Sequence, residues 1–349
     1  MKFSIISFSE LDAGLISSWH RLQQTAAVYD SPYFHPRFSQ LVAQQRGDAR
    51  LLVMEDAGQV AGLFPYHQLP GQTLNFIGEG LSDYQGVLHA PELTFPMADL
   101  LKAMGKSYLA FDHVPAVMQE FASHAWTGSR SLCLNLDGGY AAYAAKLAAS
   151  REASLLKKVE TNARKLGQRV GEVRFEFSSV DAADFQALLN GKSQQFIRTL
   201  GPQADIFAIG WIRQLMEGIQ AQRGNDFSGV LSVLYAGDKL VAAHFGMRSA
   251  TTLHYWFPWY DTQFGEYSPG LILLARCAEF GAAEGLTLID LGRGEQAYKQ
   301  RFATGFTELC EGAVSRPALL AKVHGSLWRG KRYLRDSALG SKLKAWRQS

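Results

Sequence analysis

The chain has 349 residues, of which 47% are hydrophobic and 19% are charged, and its formal net charge at pH 7 is +3. These values are ordinary for a soluble globular protein, and the length suggests two domains. No apolar run approaches the roughly 20 residues of a membrane span, and the first residues lack the basic and apolar regions of a signal peptide.

Three cysteines, Cys133, Cys277 and Cys310, lie far apart in the sequence and have no metal-ligand spacing. Their odd number and wide separation favour small buried side chains in a reducing compartment over a metal site. We therefore expect a cytoplasmic protein that holds no metal.

The first part of the chain predicts a strand, two helices and an antiparallel meander. In order, these are a strand at 3–8, helices at 9–28 and 31–46, and strands at 49–56, 59–68 and 73–78. The same order recurs later, with a strand at 173–180, helices at 183–199 and 207–223, and strands at 229–237, 239–249 and 252–258. This recurrence predicts a structural duplication.

A single long helix is predicted between the two copies, at 141–168. Its later half and the next residue carry a set of basic side chains: Arg151, Lys157, Lys158, Arg164, Lys165 and Arg169. The domain boundary is expected near this helix.

The most informative stretch follows the second meander and begins with a helix. Ser268 is a favourable N-cap, Pro269 suits the first helical position, and Gly285 suits the C-terminal stop. A helix start exposes unpaired N–H groups and a partial positive charge, which suit a phosphate group. The alternative is a well-capped core helix with no ligand. Its expected apolar face consists of Leu271, Leu274, Ala275, Ala278 and Ala282.

A buried strand is predicted next, at 286–291, and a carboxylate, Asp290, lies near its end. The turn Gly292-Arg293-Gly294 and a polar run from Glu295 to Phe302 follow directly.

The combined order of these pieces, YSPGLILL followed by IDLGRGEQAYKQRF, resembles the CelD/BcsL-like family of GNAT-type acyltransferases in cellulose biosynthesis. That family is related to the Fem-type aminoacyltransferases of cell-wall synthesis. The Tyr260-Asp261 pair before the helix and LSDYQG at 81–86 also match it. The usual GNAT phosphate signature, Gln/Arg-x-x-Gly-x-Gly/Ala, is absent.

The resemblance implies an α/β fold of two tandem GNAT-like domains with mixed, mostly antiparallel sheets flanked by helices. Residues 1–145 would form a degenerate copy on the acceptor side, and residues 146–316 would form the acyltransferase domain. The donor would be acetyl-CoA or another acyl-CoA, bound by Tyr267, Ser268, Pro269, Gly270 and Leu271.

Acyl transfer also needs a base and groups that stabilise the oxyanion. Asp290 and Glu295 are the candidate bases, although Asp290 could instead be a structural acid bonded to backbone N–H groups or to Arg293. Lys299 would stabilise the oxyanion or bind a phosphate. His244, inside a predicted central strand, is a second base candidate, although a lone strand histidine is more often a core residue.

The acceptor is expected to be a sugar or glycan, with a further set of substrate-binding residues: Asp83, Tyr84, Tyr260, Arg293, Tyr298 and Arg301. The aromatic strand end around Trp256 and Trp259 could stack on a sugar ring or fill the interface between the copies.

The last segment, 317–349, is basic and amphipathic. From Lys322 onward it carries eight Lys and Arg residues and one acidic residue, Asp336. This pattern fits docking on an anionic membrane surface or on a polysaccharide synthase. The competing interpretation, which we favour over the membrane, is a helix packed on the body of the protein with a solvated basic face.

Motifs of hydrolases, metalloproteases and P-loop NTPases are absent. The leading prediction is a GNAT-type N- or O-acyltransferase, cytoplasmic or peripheral at the inner membrane, that acetylates a sugar in cellulose or exopolysaccharide biosynthesis. Two alternatives remain: Fem-like aminoacyl transfer, which would require tRNA as the nucleic-acid partner, and a non-catalytic subunit of a polysaccharide synthase.

Overall fold

The computed structural model describes residues 1–317, so the basic segment predicted at 317–349 lies outside the described residues except for Pro317. The elements of the first part are β1 (Lys2–Ser7), α1 (Ala13–Gln23), α2 (Pro36–Gln45), β2 (Ala49–Asp56), β3 (Gln59–His67), β4 (Thr73–Phe76), β5 (Leu88–His89), α3 (Met97–Ala103), β6 (Tyr108–Pro115), α4 (Gln119–Ala122) and β7 (Ala125–Asn135).

The later elements are α5 (Gly139–Ala148), α6 (Leu155–Arg169), β8 (Val173–Glu176), α7 (Ala182–Leu200), α8 (Gly210–Gln220), β9 (Ser228–Ala236), β10 (Lys239–Arg248), β11 (Thr252–Tyr260), α9 (Pro269–Ala283), β12 (Leu288–Arg293), α10 (Ala297–Phe302) and β13 (Gly305–Ser315). Among these helices, none combines the length and apolar character that crossing a bilayer requires.

The chain divides into two compact units that are discontinuous in sequence. Unit 1 comprises 1–10, 48–129 and the described residues from 308 onward; unit 2 comprises 11–47 and 130–307. The predicted domains were consecutive ranges split near residue 145, whereas these units interleave. The assignment of an acceptor side and a donor side to the predicted ranges stays a prediction.

Unit 1 contains a mixed sheet in the order β1-β2-β3-β4-β6-β13, with β5 paired to β3. The β2–β3 hairpin turns at Asp56-Ala57-Gly58, as the sequence predicts. Among the described residues of this sheet, β4 and β6 are the only pair in parallel. The predicted meander is therefore confirmed.

Unit 2 contains a sheet in the order β7-β12-β11-β10-β9-β8, in which β7 contributes its end from Arg130 onward. All neighbours are antiparallel except β11 and β12. The helices α5, α6 and α9 share one apolar core with this sheet. The helices α7 and α8 also pack against its strands, and the mixed sheet flanked by helices is the predicted arrangement.

The helices α1 and α2 belong to unit 2, although the sequence places them beside the strands of unit 1. Asp30 accepts hydrogen bonds from the hydroxyls of Thr251 (2.6 Å) and Thr252 (2.7 Å), at the start of β11. The ring of Tyr33 contacts that of His254 edge to face, with centroids 4.9 Å apart. These contacts hold the N-terminal segment on the second meander.

The predicted helix at 141–168 is wrong in one respect, because the chain forms two helices there. Between α5 and α6, the Ser150 hydroxyl donates to the carbonyl of Leu147 and accepts from the N–H of Glu152. A serine side chain that competes with backbone hydrogen bonds in this way favours a turn over a continuous helix.

The helix α9 supplies a direct test of the shared core of unit 2. Leu273 is fully buried, whereas Leu200 at the end of α7 is 64% exposed. We expect Leu273→Ala to lower the free energy of unfolding by about 2–5 kcal/mol because it removes packed atoms and leaves a cavity. We expect Leu200→Ala to change it by less than about 0.5 kcal/mol. Chemical denaturation of both variants checks this, and equal losses would contradict the burial of α9.

Candidate acyl-donor site

The parallel strands β11 and β12 pair over only three residues each, Thr252–His254 against Leu288–Asp290. Beyond these pairs β11 continues to Tyr260 and β12 to Arg293 without pairing to each other. We call the point where their pairing ends the fork. A crevice beyond the carboxyl ends of parallel strands is a common place for a ligand in α/β folds.

The helix α9 begins at Pro269, as predicted, with Ser268 at the N-cap position. The predicted cap itself is wrong: Ser268 has left-handed backbone angles (φ 53°, ψ 53°), and its side chain makes no capping hydrogen bond. A non-glycine residue held in this region costs on the order of 1 kcal/mol and is more common at functional sites. The helix start is therefore not closed by the hydroxyl of Ser268.

A cleft of about 560 Å³ in unit 2 adjoins this helix start. Its lining residues come from α7, the end of β11, the following loop, the start of α9 and the start of α10: Gly191, Lys192, Gln194, Gln195, Arg198, Tyr255, Pro258, Trp259, Tyr260, Asp261, Thr262, Gly265, Ser268, Pro269, Gly270, Leu271, Gln296 and Tyr298. Ser268, Pro269, Gly270 and Leu271 are four of the five predicted donor residues. The fifth, Tyr267, is half-buried and is not among the lining residues.

Two tyrosines, Tyr255 and Tyr298, are among the lining residues of the cleft. The hydroxyl of Tyr255 is buried and has no hydrogen-bond partner among residues 1–317. Burial raises the pKa of Tyr255 well above its usual range and raises the pKa of Tyr298 to about 12. Both hydroxyls therefore keep their protons at neutral pH.

His244 lies next to Tyr255, one of the lining residues of the cleft. It is fully buried, and its ring stacks on that of Tyr255 with centroids 3.8 Å apart. Burial lowers the pKa of His244 well below its usual range, so the ring is neutral. It is not a lining residue, and its role as a base stays a prediction.

Asp290 lies at the fork and is 2% exposed. Its Oδ1 accepts hydrogen bonds from the Ser131 hydroxyl and the Gly292 N–H, both at 2.7 Å, and lies 3.4 Å from Nδ1 of His254. These contacts match the alternative in which Asp290 is a structural acid, because its carboxylate fixes the glycine turn. Asp290 does not line the cleft.

Lys299 is also buried, with its Nζ donating to the carbonyls of Gly292 (3.1 Å) and Arg293 (2.9 Å). It therefore holds the same turn from α10. Arg301 donates from Nε to the Glu152 carboxylate at 3.1 Å. Glu295 is exposed. None of these residues lines the cleft, and their catalytic and substrate-binding roles stay predictions.

Lys192 is a functional candidate in the cleft that was not predicted from the sequence. Its Nζ donates to Oε1 of Gln195 (3.1 Å) and to the carbonyl of Pro258 (3.0 Å) near the end of β11. Burial and, secondarily, repulsion from Lys299 lower the pKa of Lys192 to about 8. The sequence did carry one signal for it: the spacing of Lys192, Gln195 and Arg198 places these polar side chains on one side of the predicted helix at 183–199.

The acceptor-side candidates Asp83 and Tyr84 lie in unit 1. Oδ1 of Asp83 is 3.4 Å from Nε2 of His113, whose Nδ1 is 2.7 Å from Oδ1 of Asp112. Tyr84 is buried. The next residue, Gln85, accepts from the N–H groups of Asp112 and His113 and so fixes this loop on β6. Their binding role stays a prediction.

A third group of titratable side chains, His20, His35 and Asp226, brings possible ligand atoms within 4.8 Å of one another. However, Nδ1 of His35 accepts the N–H of Arg37 at 3.0 Å and caps α2. The neutral ring must then carry its proton on Nε2, the atom that a metal would need. The chemistry of His35 therefore does not fit a metal ligand in this arrangement.

Residues 153–300 match the family described as an acetyltransferase (GNAT) domain. No curated protein matches the chain. Among solved structures, FemX is similar with a TM-score of 0.57 at 9% identity, over 91% of this chain and 98% of that chain. A tandem GNAT protein from the clavulanic acid biosynthesis pathway has a TM-score of 0.51 at 10% identity, over 90% of this chain and 98% of that one.

A third similar structure is the C-terminal domain of a proposed lysylphosphatidylglycerol synthetase from Agrobacterium fabrum. Its TM-score is 0.54 at 13% identity, over 89% of this chain and 96% of that chain. At these identities the structures show the fold alone. The chain has a GNAT-like fold, and the domain match supports the predicted acyltransferase class. The finer resemblance to CelD/BcsL-like proteins stays a prediction.

A wall of the cleft depends on a glycine inside α7. A Cβ atom on Gly191 would lie 2.3 Å from Cε2 of Trp259, whereas one on Gly167 in α6 would meet nothing closer than 3.7 Å. We expect Gly191→Ala to lower the free energy of unfolding by about 1–3 kcal/mol through overpacking. Gly167→Ala should raise it by about 0.5–1 kcal/mol because alanine favours the helix. Opposite signs in denaturant unfolding are the expected result, and stabilisation by both substitutions would contradict the Trp259 contact.

Proposed function

We propose that this chain transfers an acyl group, with acetyl as the leading candidate, from acyl-CoA to an amino or hydroxyl group of a sugar. One observation carries the proposal: the start of α9, where the Ser268 side chain makes no cap, lines a cleft beyond the fork. Backbone N–H groups at a helix start attract a diphosphate through hydrogen bonds and the helix dipole. Arg198 adds positive charge to the same cleft.

Different lining residues of the cleft would contact different parts of the donor and the acceptor. A diphosphate at Gly270 would place the attached pantetheine arm along the cleft, towards Tyr255 and Tyr298. A protonated tyrosine hydroxyl can donate to the thioester oxygen or give its proton to the departing thiolate. The aromatic rings of Trp259 and Tyr260 offer flat apolar faces of the kind on which a sugar ring packs.

The biological setting is proposed from the family resemblance. The acceptor sugar would belong to cellulose or another exopolysaccharide, and the protein would act in the cytoplasm or at the inner membrane. The basic segment at 317–349 would supply the contact with a membrane or a polysaccharide synthase. A non-catalytic subunit of such a synthase is the alternative if no transfer is found.

A second candidate function is aminoacyl transfer from aminoacyl-tRNA, and it is favoured by one observation. The helix α6 buries its apolar side in the core of unit 2 and exposes basic side chains. The exposed members of this basic face, with the preceding Arg151, are Lys157, Lys158, Arg164, Lys165 and Arg169. Such a face binds a polyanion with a strong dependence on salt. Tight binding of tRNA and no binding of CoA would favour this function.

The donor site is tested by comparing CoA with pantetheine, which lacks the diphosphate. We expect Gly270→Glu to weaken CoA binding at least about tenfold because a carboxylate would repel the diphosphate over about 4 Å. Pantetheine binding should not change. The matched control, Ala13→Glu, places the same carboxylate at the start of α1, outside the cleft lining, and should leave both affinities unaltered. Isothermal titration calorimetry checks this, and equal losses for CoA and pantetheine would contradict a diphosphate site at α9.

Transfer itself is tested with radiolabelled acetyl-CoA and D-glucosamine or UDP-glucosamine as acceptors. We expect Asp290→Asn and Lys299→Met to reduce the rate by about 100-fold, since loss of the groups that hold the glycine turn misplaces the reacting groups. Asp238→Asn, in the exposed β9–β10 turn, is the control. Wild-type rates in both variants would show that the turn after β12 has no part in transfer.

A further inference from the structure

The fork is flanked by two lysines, one from each side, and each lysine contacts the end of one strand. Lys192 on α7 donates to the carbonyl of Pro258 near the end of β11. Lys299 on α10 donates to the carbonyls of Gly292 and Arg293 at the end of β12. Lys192 lines the cleft, whereas Lys299 is buried and does not.

The surroundings of Lys192 match an uncharged amine. Its two hydrogen-bond acceptors, Gln195 Oε1 and the Pro258 carbonyl, are both neutral, and it has no ion pair with a carboxylate among residues 1–317. A neutral amine has two N–H groups and one lone pair, so both N–H groups are used and the lone pair remains. Burial and the charge of Lys299 favour this form, with a pKa of about 8.

Other groups near the cleft decide whether the amine can also accept a proton. The charged and titratable residues that line it besides Lys192 are Arg198, Asp261, Tyr255, Tyr260 and Tyr298. Asp261, the single carboxylate of this lining, accepts the N–H of Gln263 at 2.9 Å. The Phe196 ring, with its centroid 5.2 Å from Nζ, stabilises the ammonium form. Both forms of the lysine are therefore accessible, which a proton acceptor requires.

We propose that Lys192 is the proton acceptor of the transfer reaction, which makes this inference dependent on the proposed function. The acceptor's nitrogen or oxygen forms a bond to the thioester carbonyl carbon, and its proton passes to Nζ of Lys192. The carbon–sulfur bond then breaks with its electron pair on sulfur, and the proton passes from the ammonium to the thiolate. The products are the acylated acceptor and free CoA thiol, with the amine restored.

Competitive labelling of the full chain with trace acetic anhydride, read by peptide mass spectrometry from pH 6 to 11, tests the amine without any acceptor sugar. We expect Lys192 to be half-labelled near pH 8. Lys157, exposed on α6, is the internal reference. Saturating CoA should protect Lys192 and leave Lys157 unchanged. Titration of Lys192 together with Lys157 overturns the inference.

Two substitutions separate proton transfer from simple positive charge. With D-glucosamine or UDP-glucosamine as acceptor, Lys192→Met and Lys192→Arg should both lower the transfer rate by about 100-fold or more, because neither can accept the proton at neutral pH. Lys102→Met, at an exposed position of α3, is the control and should keep the wild-type rate. A Lys192→Arg variant with the wild-type rate overturns the inference, since a fixed charge would then suffice.

The two proposals fail in different ways. If CoA stabilises the protein against thermal unfolding but Lys192→Arg transfers at the wild-type rate, the role of Lys192 alone is wrong. If CoA gives no stabilisation of the wild-type chain, the donor site is wrong, and the role of Lys192 is wrong with it.

Discussion

The fork between β11 and β12 is the constraint on which the site depends. After three residue pairs the two strands stop pairing, so their later backbone groups need other partners. Buried carbonyl groups are almost always hydrogen-bonded, and here lysine side chains supply the bonds. Lys192 reaches Pro258 on one side, and Lys299 reaches Gly292 and Arg293 on the other. The hydrogen bonds that satisfy these carbonyl groups also place the two lysine amines beside the fork.

At the fork, the carboxylate of Asp290 accepts hydrogen bonds, whereas the two lysines donate them. Asp290 accepts hydrogen bonds from Ser131 on β7 and from the Gly292 N–H, and so connects two strands with the turn that follows. Gly292 has φ of 70° in this turn, a conformation that a side chain would disfavour. A buried charge with several donors is well stabilised, which explains a carboxylate in the core without assigning it the chemistry. Asp290 and Lys299 thus hold the turn behind the site. The cleft itself is lined from α7, β11, the following loop, α9 and the start of α10.

Local sequence signals predicted the elements around the site because those signals act within a few residues. Pro269 and Gly285 marked the start and the end of α9 correctly, since proline and glycine each impose a backbone conformation. The bonding of Ser268 was not predictable in the same way: its left-handed angles follow from the preceding turn, in which its N–H donates to the carbonyl of Gly265. Lys192 looked like an ordinary helix charge because only the tertiary structure brings α7 to the end of β11.

The assignment of helices to compact units was also not predictable from local sequence patterns. Periodicity identified α1 and α2 as helices, but no local pattern shows that Asp30 binds Thr251 and Thr252, more than two hundred residues away. Element order alone therefore placed these helices in the first repeat, and the compact units interleave instead. The strands of both meanders were predicted well, since apolar runs bounded by turn residues are a local signal.

A crystal structure of the full chain with bound CoA would test the proposed diphosphate site at the start of α9. We predict a diphosphate oxygen about 3 Å from the backbone nitrogen of Gly270, a distance typical of N–H···O hydrogen bonds. We also predict that the sulfur atom lies beyond the fork, between Tyr255 and Tyr298. A diphosphate bound elsewhere, with the start of α9 in contact only with solvent or protein, would contradict this site.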